Sequence, residues 1–182
     1  MLQRNQYIEQ IKPFIDKPVI KAITGVRRSG KSTFLQQIMN ILENKNVKAE
    51  NIIYINKELV DFDNIKTYLD LNKYVKERIN DKRVNRYLFI DEIQEIEQWE
   101  KAIASLLAEK KIDIYITGSN ARLLSSELAT LLSGRYIEIK MHTFSFKEFK
   151  EIADKSKTLK KTADVFGTYL KYGGFPGIHL LE

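Results

Sequence analysis

The stretch Gly25-Val26-Arg27-Arg28-Ser29-Gly30-Lys31-Ser32 decides how the rest of the chain is read. Glycine at both ends of the loop, followed by Lys-Ser, matches the full phosphate-loop pattern. Glycine lets the backbone turn sharply and aim successive N–H groups inward, with no Cβ in the way of a phosphate. An apolar strand, Pro18 to Thr24, leads into the loop, and a helix from about Lys31 to Glu43 leaves it. The positive end of that helix's dipole then adds to the same site. In this pattern Lys31 reaches the β- and γ-phosphates, Ser32 offers its hydroxyl to Mg²⁺, and Thr33 lies near the α-phosphate. Gly25 through Thr33 form the expected nucleotide seat. Arg27 reads as solvent-facing or paired with a carboxylate, and Arg28 is open between that role and a contact with the triphosphate.

Outward from the loop, strand and helix alternate, the pattern of a parallel sheet covered on both faces. Tyr7, Ile8, Ile11, Phe14 and Ile15 give an opening helix that Pro13 kinks or shortens. Asn51–Asn56 reads as the second strand, and Ile65, Tyr68, Leu69, Val75 and Ile79 as an amphipathic helix after it. Arg86–Asp91 is the third strand, with Ile96, Trp99, Ile103, Leu106 and Leu107 marking the next helix. Asp113–Thr117 is the fourth, a short helix follows around Leu123–Leu132, and Arg135–Lys140 is the fifth. The rhythm then changes. Phe146–Ala153 and Ala163–Tyr172 read as helices joined by a lysine-rich run, Lys155–Lys161, and Gly173-Gly174-Phe175-Pro176-Gly177 stops the second. The expected division is a core over residues 1–140 and the beginning of a helical lid or linker over residues 141–182.

Nucleotide hydrolysis also needs a carboxylate for the metal and a group that positions water. Tyr87-Leu88-Phe89-Ile90-Asp91-Glu92 supplies both at a buried strand end. Asp91 falls where a carboxylate holds Mg²⁺, and Glu92, pointing elsewhere, is placed to act as general base. An acidic cap on the following helix is the plainer reading of the same pair, and the phosphate loop upstream tips the balance to the functional one. Ser119 and Asn120, with Thr117 behind them, end the fourth strand and are candidates to sense the γ-phosphate, although Gly-Ser-Asn is also ordinary turn chemistry. Arg135 is open between a salt bridge and an arginine finger, acting in its own site or on a neighbouring chain's nucleotide. Arg122 is a weaker alternative.

These residues resemble a bacterial and archaeal family of AAA+ ATPases that pair an N-terminal AAA domain with a C-terminal domain of unknown function. The matching segments are Ile23–Thr33, Leu88–Gln94, Thr117–Asn120, Leu132–Arg135 and Tyr172–Pro176. The resemblance implies a P-loop NTPase of AAA+ type, a three-layer α/β/α sandwich whose five-stranded parallel sheet is ordered 5-1-4-3-2. It also implies Asp91 and Glu92 as the acidic pair and Ser119-Asn120 at the sensor position. Thr143-Phe144-Ser145-Phe146-Lys147-Glu148-Phe149 departs conservatively from the Pro-Leu-Ser-Phe-Arg-Glu-Phe usual at this place. The chain ends where a helical lid would continue, so it reads as an N-terminal fragment and a lid arginine on the γ-phosphate is in doubt.

Composition narrows the partners. There is no cysteine and there are only two histidines, which excludes thiolate chemistry and argues against structural zinc. No apolar run is long enough to span a membrane and no secretory leader opens the chain, so a cytoplasmic protein is expected. The net charge of +6 fits a solvated lysine-rich surface and leaves nucleic acid open as a partner. Three functions stand at this point: an ATP-hydrolysing motor, possible as a homo-oligomer, a regulatory ATP/ADP switch with negligible turnover, and a phosphotransferase. Glu92 argues against the third, because a water-activating carboxylate is wasted there.

Overall fold

The computed structural model describes residues 2–79, 85–110, 112–119, 132–155 and 164–177. Strands β1 (Ile20–Gly25), β2 (Ile52–Asn56), β3 (Arg86–Asp91), β4 (Ile112–Gly118) and β5 (Tyr136–Met141) form one sheet. Its order is 2-3-4-1-5 and every neighbouring pair is parallel, which is the expected arrangement seen from the other edge. All residues of the central strands β1, β3 and β4 are buried, whereas the edge strands β2 and β5 alternate. Continuous apolar runs are what a parallel sheet covered on both faces requires.

Successive side chains go to opposite faces. Ala22, Leu88, Ile90, Ile114 and Ile116 pack with Leu71 and Val75 of α3 (Tyr68–Arg78) and with Trp99 and Ile103 of α4 (Trp99–Ala108). Ile23, Phe89 and Tyr115 pack with Tyr7 and Ile11 of α1 (Asn5–Ile11) and with Phe34, Leu35 and Ile38 of α2 (Lys31–Asn44). Phe89 and Tyr115, in register on adjacent strands, stack with ring centroids 4.5 Å apart. The result is the three-layer P-loop fold.

Local chemistry explains where boundaries moved. Pro13 ends α1 at Ile11 and sits in a single 3-10 turn, Lys12–Phe14. Ile65 is buried but lies ahead of α3, because Thr67 and Asp70 form a reciprocal capping box that starts the helix at Tyr68. Ile96 likewise precedes α4. Helices α5 (Phe146–Lys155) and α6 (Val165–Tyr172) pair through aromatic rings, Phe149 with Tyr169 at 5.2 Å and Phe146 with Phe166 at 5.0 Å. The helix expected around Leu123–Leu132 and most of the lysine-rich run lie outside the described residues. No helix among the described residues is long and apolar enough to cross a membrane.

One polar network lies near the start of the central strands. Lys21 of β1, fully buried, forms an ion pair with Asp113 of β4. Asp113 also accepts from Tyr115 Oη at 2.8 Å and from the Asp16 backbone N–H at 2.9 Å, and Tyr87 Oη donates to Asp16 at 2.7 Å. Burial pulls the Lys21 ammonium down and pushes the Asp113 carboxyl up, each opposed by the other's charge. Asp113→Ala, which strands a buried ammonium, is expected to cost about 3–5 kcal/mol. The joint replacement Lys21→Met with Asp113→Leu should recover most of that loss, and urea denaturation of the three proteins checks both.

Candidate functional site

In a doubly wound parallel sheet the chemistry gathers at the carboxyl ends of the strands. Here those ends are Gly25, Asp91 and Gly118. Gly25 has φ 148°, and a Cβ there would stand 2.3 Å from the Met141 carbonyl oxygen on β5. A side chain is therefore excluded both by conformation and by space. Gly30, at φ 97°, caps α2 without any side-chain bond, so the first-turn N–H groups of that helix face the cleft unclaimed. Ser29 is fully buried and its hydroxyl has no hydrogen-bond partner. A glycine-lined cradle, free helix-end donors and an orphaned buried hydroxyl fit a polyanion.

Lys31, only 3% exposed, folds back over its own loop. Its ammonium donates to the carbonyls of Gly25 at 3.2 Å and Val26 at 3.3 Å, and lies 3.5 Å from Glu92 Oε1. Glu92 stands in the left-handed region at φ 55°, a conformation that costs energy for a non-glycine residue and clusters at functional sites. Its backbone N–H donates to Thr117 Oγ1 at 3.0 Å, and the same hydroxyl donates to Asp91. Thr117 thus holds the two acidic residues apart, Asp91 inward and Glu92 toward the cleft. On the other carboxylate oxygen, Glu92 accepts from Gln94 Nε2 at 2.5 Å and from the Ser119 N–H at 3.1 Å. Burial alone would raise the Glu92 carboxyl. The bonds from Gln94 and Ser119 and the charge of Lys31 outweigh it and hold the group below the usual carboxylate range.

The phosphate loop opens into a cleft of about 500 Å³ lined by Arg27, Arg28, Gly30, Lys31, Ser32, Thr33, Glu58, Glu92, Pro176 and Gly177. Pro176 is positioned over Gly30, 3.8 Å from where a Cβ would stand. Gly174 anchors this roof. Phe144 N–H donates to its carbonyl at 2.7 Å, and Tyr169 Oη donates to the Phe144 carbonyl at 3.1 Å. Beside Glu92 is a polar recess of about 310 Å³ with Arg27, Lys57, Gln94, Glu95 and Ser119 on its walls. On the far side of Gly30 and Thr33 is an apolar chamber of about 410 Å³ lined by Leu2, Phe34, Phe144, Ile152 and Pro176 among others.

Most of the residues singled out from sequence come together here, with distinctions. Arg27 is 79% exposed and 3.7 Å from Glu58 across the cleft mouth, the carboxylate-paired reading. Arg28 lines the cleft in a left-handed conformation at φ 65°. Asp91 is fully buried behind the cleft, bonded to Thr117 and, at 3.5 Å, to Tyr54 Oη. Among the described residues no cation forms an ion pair with it. Burial and the Asp91 charge push the Tyr54 hydroxyl up to about 12. Arg135 is exposed just before β5, beside Ile20 at the start of β1 and so at the opposite end of the sheet from Gly25. It does not belong to this chain's own cleft. Asn120 and Arg122 lie outside the described residues.

Sequence reasoning missed two contributors. Gln94 sits in a 3-10 turn directly after Glu92, where nothing in the pattern marks a glutamine as facing inward. Arg4 is 6% exposed, and its guanidinium donates to the Ser29 carbonyl at 3.3 Å, the His142 carbonyl at 2.7 Å and Glu148 Oε1 at 2.9 Å. It joins the N-terminal segment, the phosphate loop and the foot of α5, which no local signal announces.

A family model described as an AAA domain matches residues 17–150. An uncharacterized protein of Haemophilus influenzae is 43% identical over 185 residues, covering 100% of this chain and 46% of that protein. One from Methanocaldococcus jannaschii is 38% identical over 170 residues, covering 90% of this chain and 37% of that one. The chain thus spans less than half the length of these relatives. Among solved structures, a DNA polymerase III gamma subunit-related protein from Thermotoga maritima aligns with TM-score 0.65 at 16% identity, over 96% of this chain and 56% of that one. The Aeropyrum pernix Orc1 protein, solved in complex with DNA, aligns with TM-score 0.58 at 10% identity, over 85% of this chain and 49% of that one. Both share the fold. With the phosphate loop, the strand order and the family match in agreement, the chain belongs to the AAA domain family, a nucleotide-binding P-loop fold of AAA+ type.

Proposed function

We propose that this domain binds ATP with Mg²⁺ and hydrolyses it to ADP and phosphate. In longer proteins that carry such a domain, the energy released drives a conformational change in the remaining sequence. The observation that carries this reading is the 3.5 Å approach of Lys31 to Glu92 across one cleft. A phosphate-loop lysine and a carboxylate free of the metal position share one wall, which is the pairing that water attack on a γ-phosphate needs.

The residues divide the work as follows. Lys31 trades the Gly25 and Val26 carbonyls for the triphosphate, joined by the N–H groups of Gly30 to Thr33. Ser32, and Asp91 through water, would hold Mg²⁺, which would neutralise charge on the triphosphate. Glu92 takes a proton from water as the water oxygen bonds to the γ-phosphorus and the bond to the β–γ bridging oxygen breaks. Ser119 stands on the γ-phosphate side and holds Glu92 in place through its N–H, and Asn120 is the second sensor candidate from sequence. The apolar chamber, sharing Gly30, Thr33 and Pro176 with the phosphate cleft, takes the base, and α5 and α6 form the beginning of the lid. Arg135 serves as a finger on another chain's nucleotide within a homo-oligomer.

A regulatory switch with negligible turnover is favoured by one observation. Both Glu92 carboxylate oxygens are already engaged, one by Lys31 and the other by Gln94 and Ser119. A base held this way is idle until something rearranges it. Nucleic acid finds no comparable support at the site.

Lys31→Ala is expected to weaken ATP binding by about 10- to 100-fold, the loss of a charge-assisted contact, as read by calorimetric titration. Glu92→Gln should keep ATP bound while kcat falls by about 10²–10⁴. An unchanged and already negligible phosphate release would instead select the switch. Gln94→Ala should lower kcat by about 10- to 100-fold with KM little altered, as removal of a supporting hydrogen bond does. Equal loss in kcat and in ATP affinity would place Gln94 in folding instead.

A further inference from the structure

The N-terminal segment meets α2 through one side-chain amide. Gln37, 8% exposed on α2, donates from Nε2 to the Leu2 carbonyl at 2.7 Å and accepts at Oε1 from the Arg4 backbone N–H at 3.4 Å. Leu2, Arg4 and Gln37 all line the apolar chamber beyond Gly30 and Thr33. A carbonyl and an N–H two residues apart, both met by one side-chain amide, make an acceptor–donor edge. An amide answers it with a donor beside an acceptor. The Watson–Crick edge of adenine offers the same order, the N6 amino group as donor and N1 as acceptor. Guanine and hypoxanthine present the reverse, O6 as acceptor and N1–H as donor.

We propose that the Gln37 side chain is a built-in stand-in for an adenine edge. It occupies the Leu2 carbonyl and Arg4 N–H in the nucleotide-free protein, and adenine displaces it on binding, so the backbone pair sets base choice and Gln37 sets the affinity. This rests on the nucleotide-binding reading above. Gln37 hides two backbone groups that would otherwise face an apolar chamber unpaired, which is costly. Adenine entering the chamber takes over both bonds, and the freed amide turns to water. A 6-oxo purine brings carbonyl against carbonyl and N–H against N–H, leaving four buried polar groups unsatisfied. The displaced amide lowers the observed affinity for ATP by the fraction of molecules in which the edge stands open.

The test is calorimetric titration of this chain with ATP, ITP and GTP, for the wild type, Gln37→Ala, Gln37→Met and Lys31→Ala. Methionine keeps the volume of residue 37 without an amide, and thermal melting confirms that each variant is folded. Expected is a preference of at least about 30-fold for ATP over both ITP and GTP in the wild type. Both Gln37 variants should bind ATP about 5- to 100-fold tighter, as removal of two competing hydrogen bonds implies, with ITP and GTP still excluded. A wild type that takes ITP as well as ATP overturns the proposal. So do Gln37 variants that bind ATP equally or more weakly, the result if Gln37 merely ties the N-terminal segment to α2. ATP binding that ignores Lys31→Ala, or no binding at all, sinks the nucleotide site itself and the edge with it. Lys31-dependent binding that ignores Gln37 sinks the edge alone.

Discussion

Strand β1 has a hydrogen-bonded neighbour on each side and a helical layer on each face, and the cleft depends on that confinement. Every residue from Ile20 to Gly25 is buried, so the chain has no solvent into which to turn when the strand ends. It must reverse against β5, where the Met141 carbonyl leaves no room for a side chain at position 25. The reversal places the loop under the first turn of α2, and Gly30 then supplies the left-handed step that starts the helix. The anion seat follows from the same restriction. Backbone donors face the cleft because the strand behind them is closed on all sides.

The distribution of charge follows from the same confinement. Between Lys21 and Asp113 near the strand starts and Lys31, Asp91 and Glu92 near the ends, the interior is Ile, Leu, Phe and stacked aromatic rings. Ionic groups inside such a medium persist only when paired. Lys21 and Asp113 pair with each other and stay paired, whereas Lys31 and Glu92 pair across the open cleft at 3.5 Å. The first arrangement is structural because Lys21 is fully buried and Asp113 nearly so. The second is exchangeable, since a stronger anion offered to Lys31 releases Glu92 from one of its contacts. Thr117 joins the Glu92 backbone N–H to the Asp91 carboxylate and leaves the Glu92 side chain free to exchange without disturbing Asp91.

The fold was legible because its determinants are local and periodic. Strands β3 and β4 are apolar runs too short for helices, α2 follows a complete phosphate loop, and the resemblance supplied the strand order. Boundaries slipped where a side chain competed with periodicity, as when Thr67 and Asp70 started α3 after Ile65. The lysine, Ser32 and the acidic pair were legible as a motif. Arg135, open from sequence between a salt bridge and a finger, lies just before β5, away from the chain's own cleft. Gln94, Arg4 and Gln37 were illegible because their roles come from partners distant in sequence or from a left-handed turn at Glu92. Periodicity describes which face a residue takes and carries no information about which carbonyl it will meet there.

The roof over Gly30 has a consequence for how the domain is made. Residues 25–32 leave a ribosome well before Pro176 and Gly177, which wall the same cleft. Domains synthesised at about 5–20 residues per second assemble N-terminal parts first, so the loop spends several seconds as a half-site. During that interval helix α2 and the sheet have time to form, while the cleft lacks one side. Closure of the cleft therefore waits until synthesis has passed Gly177.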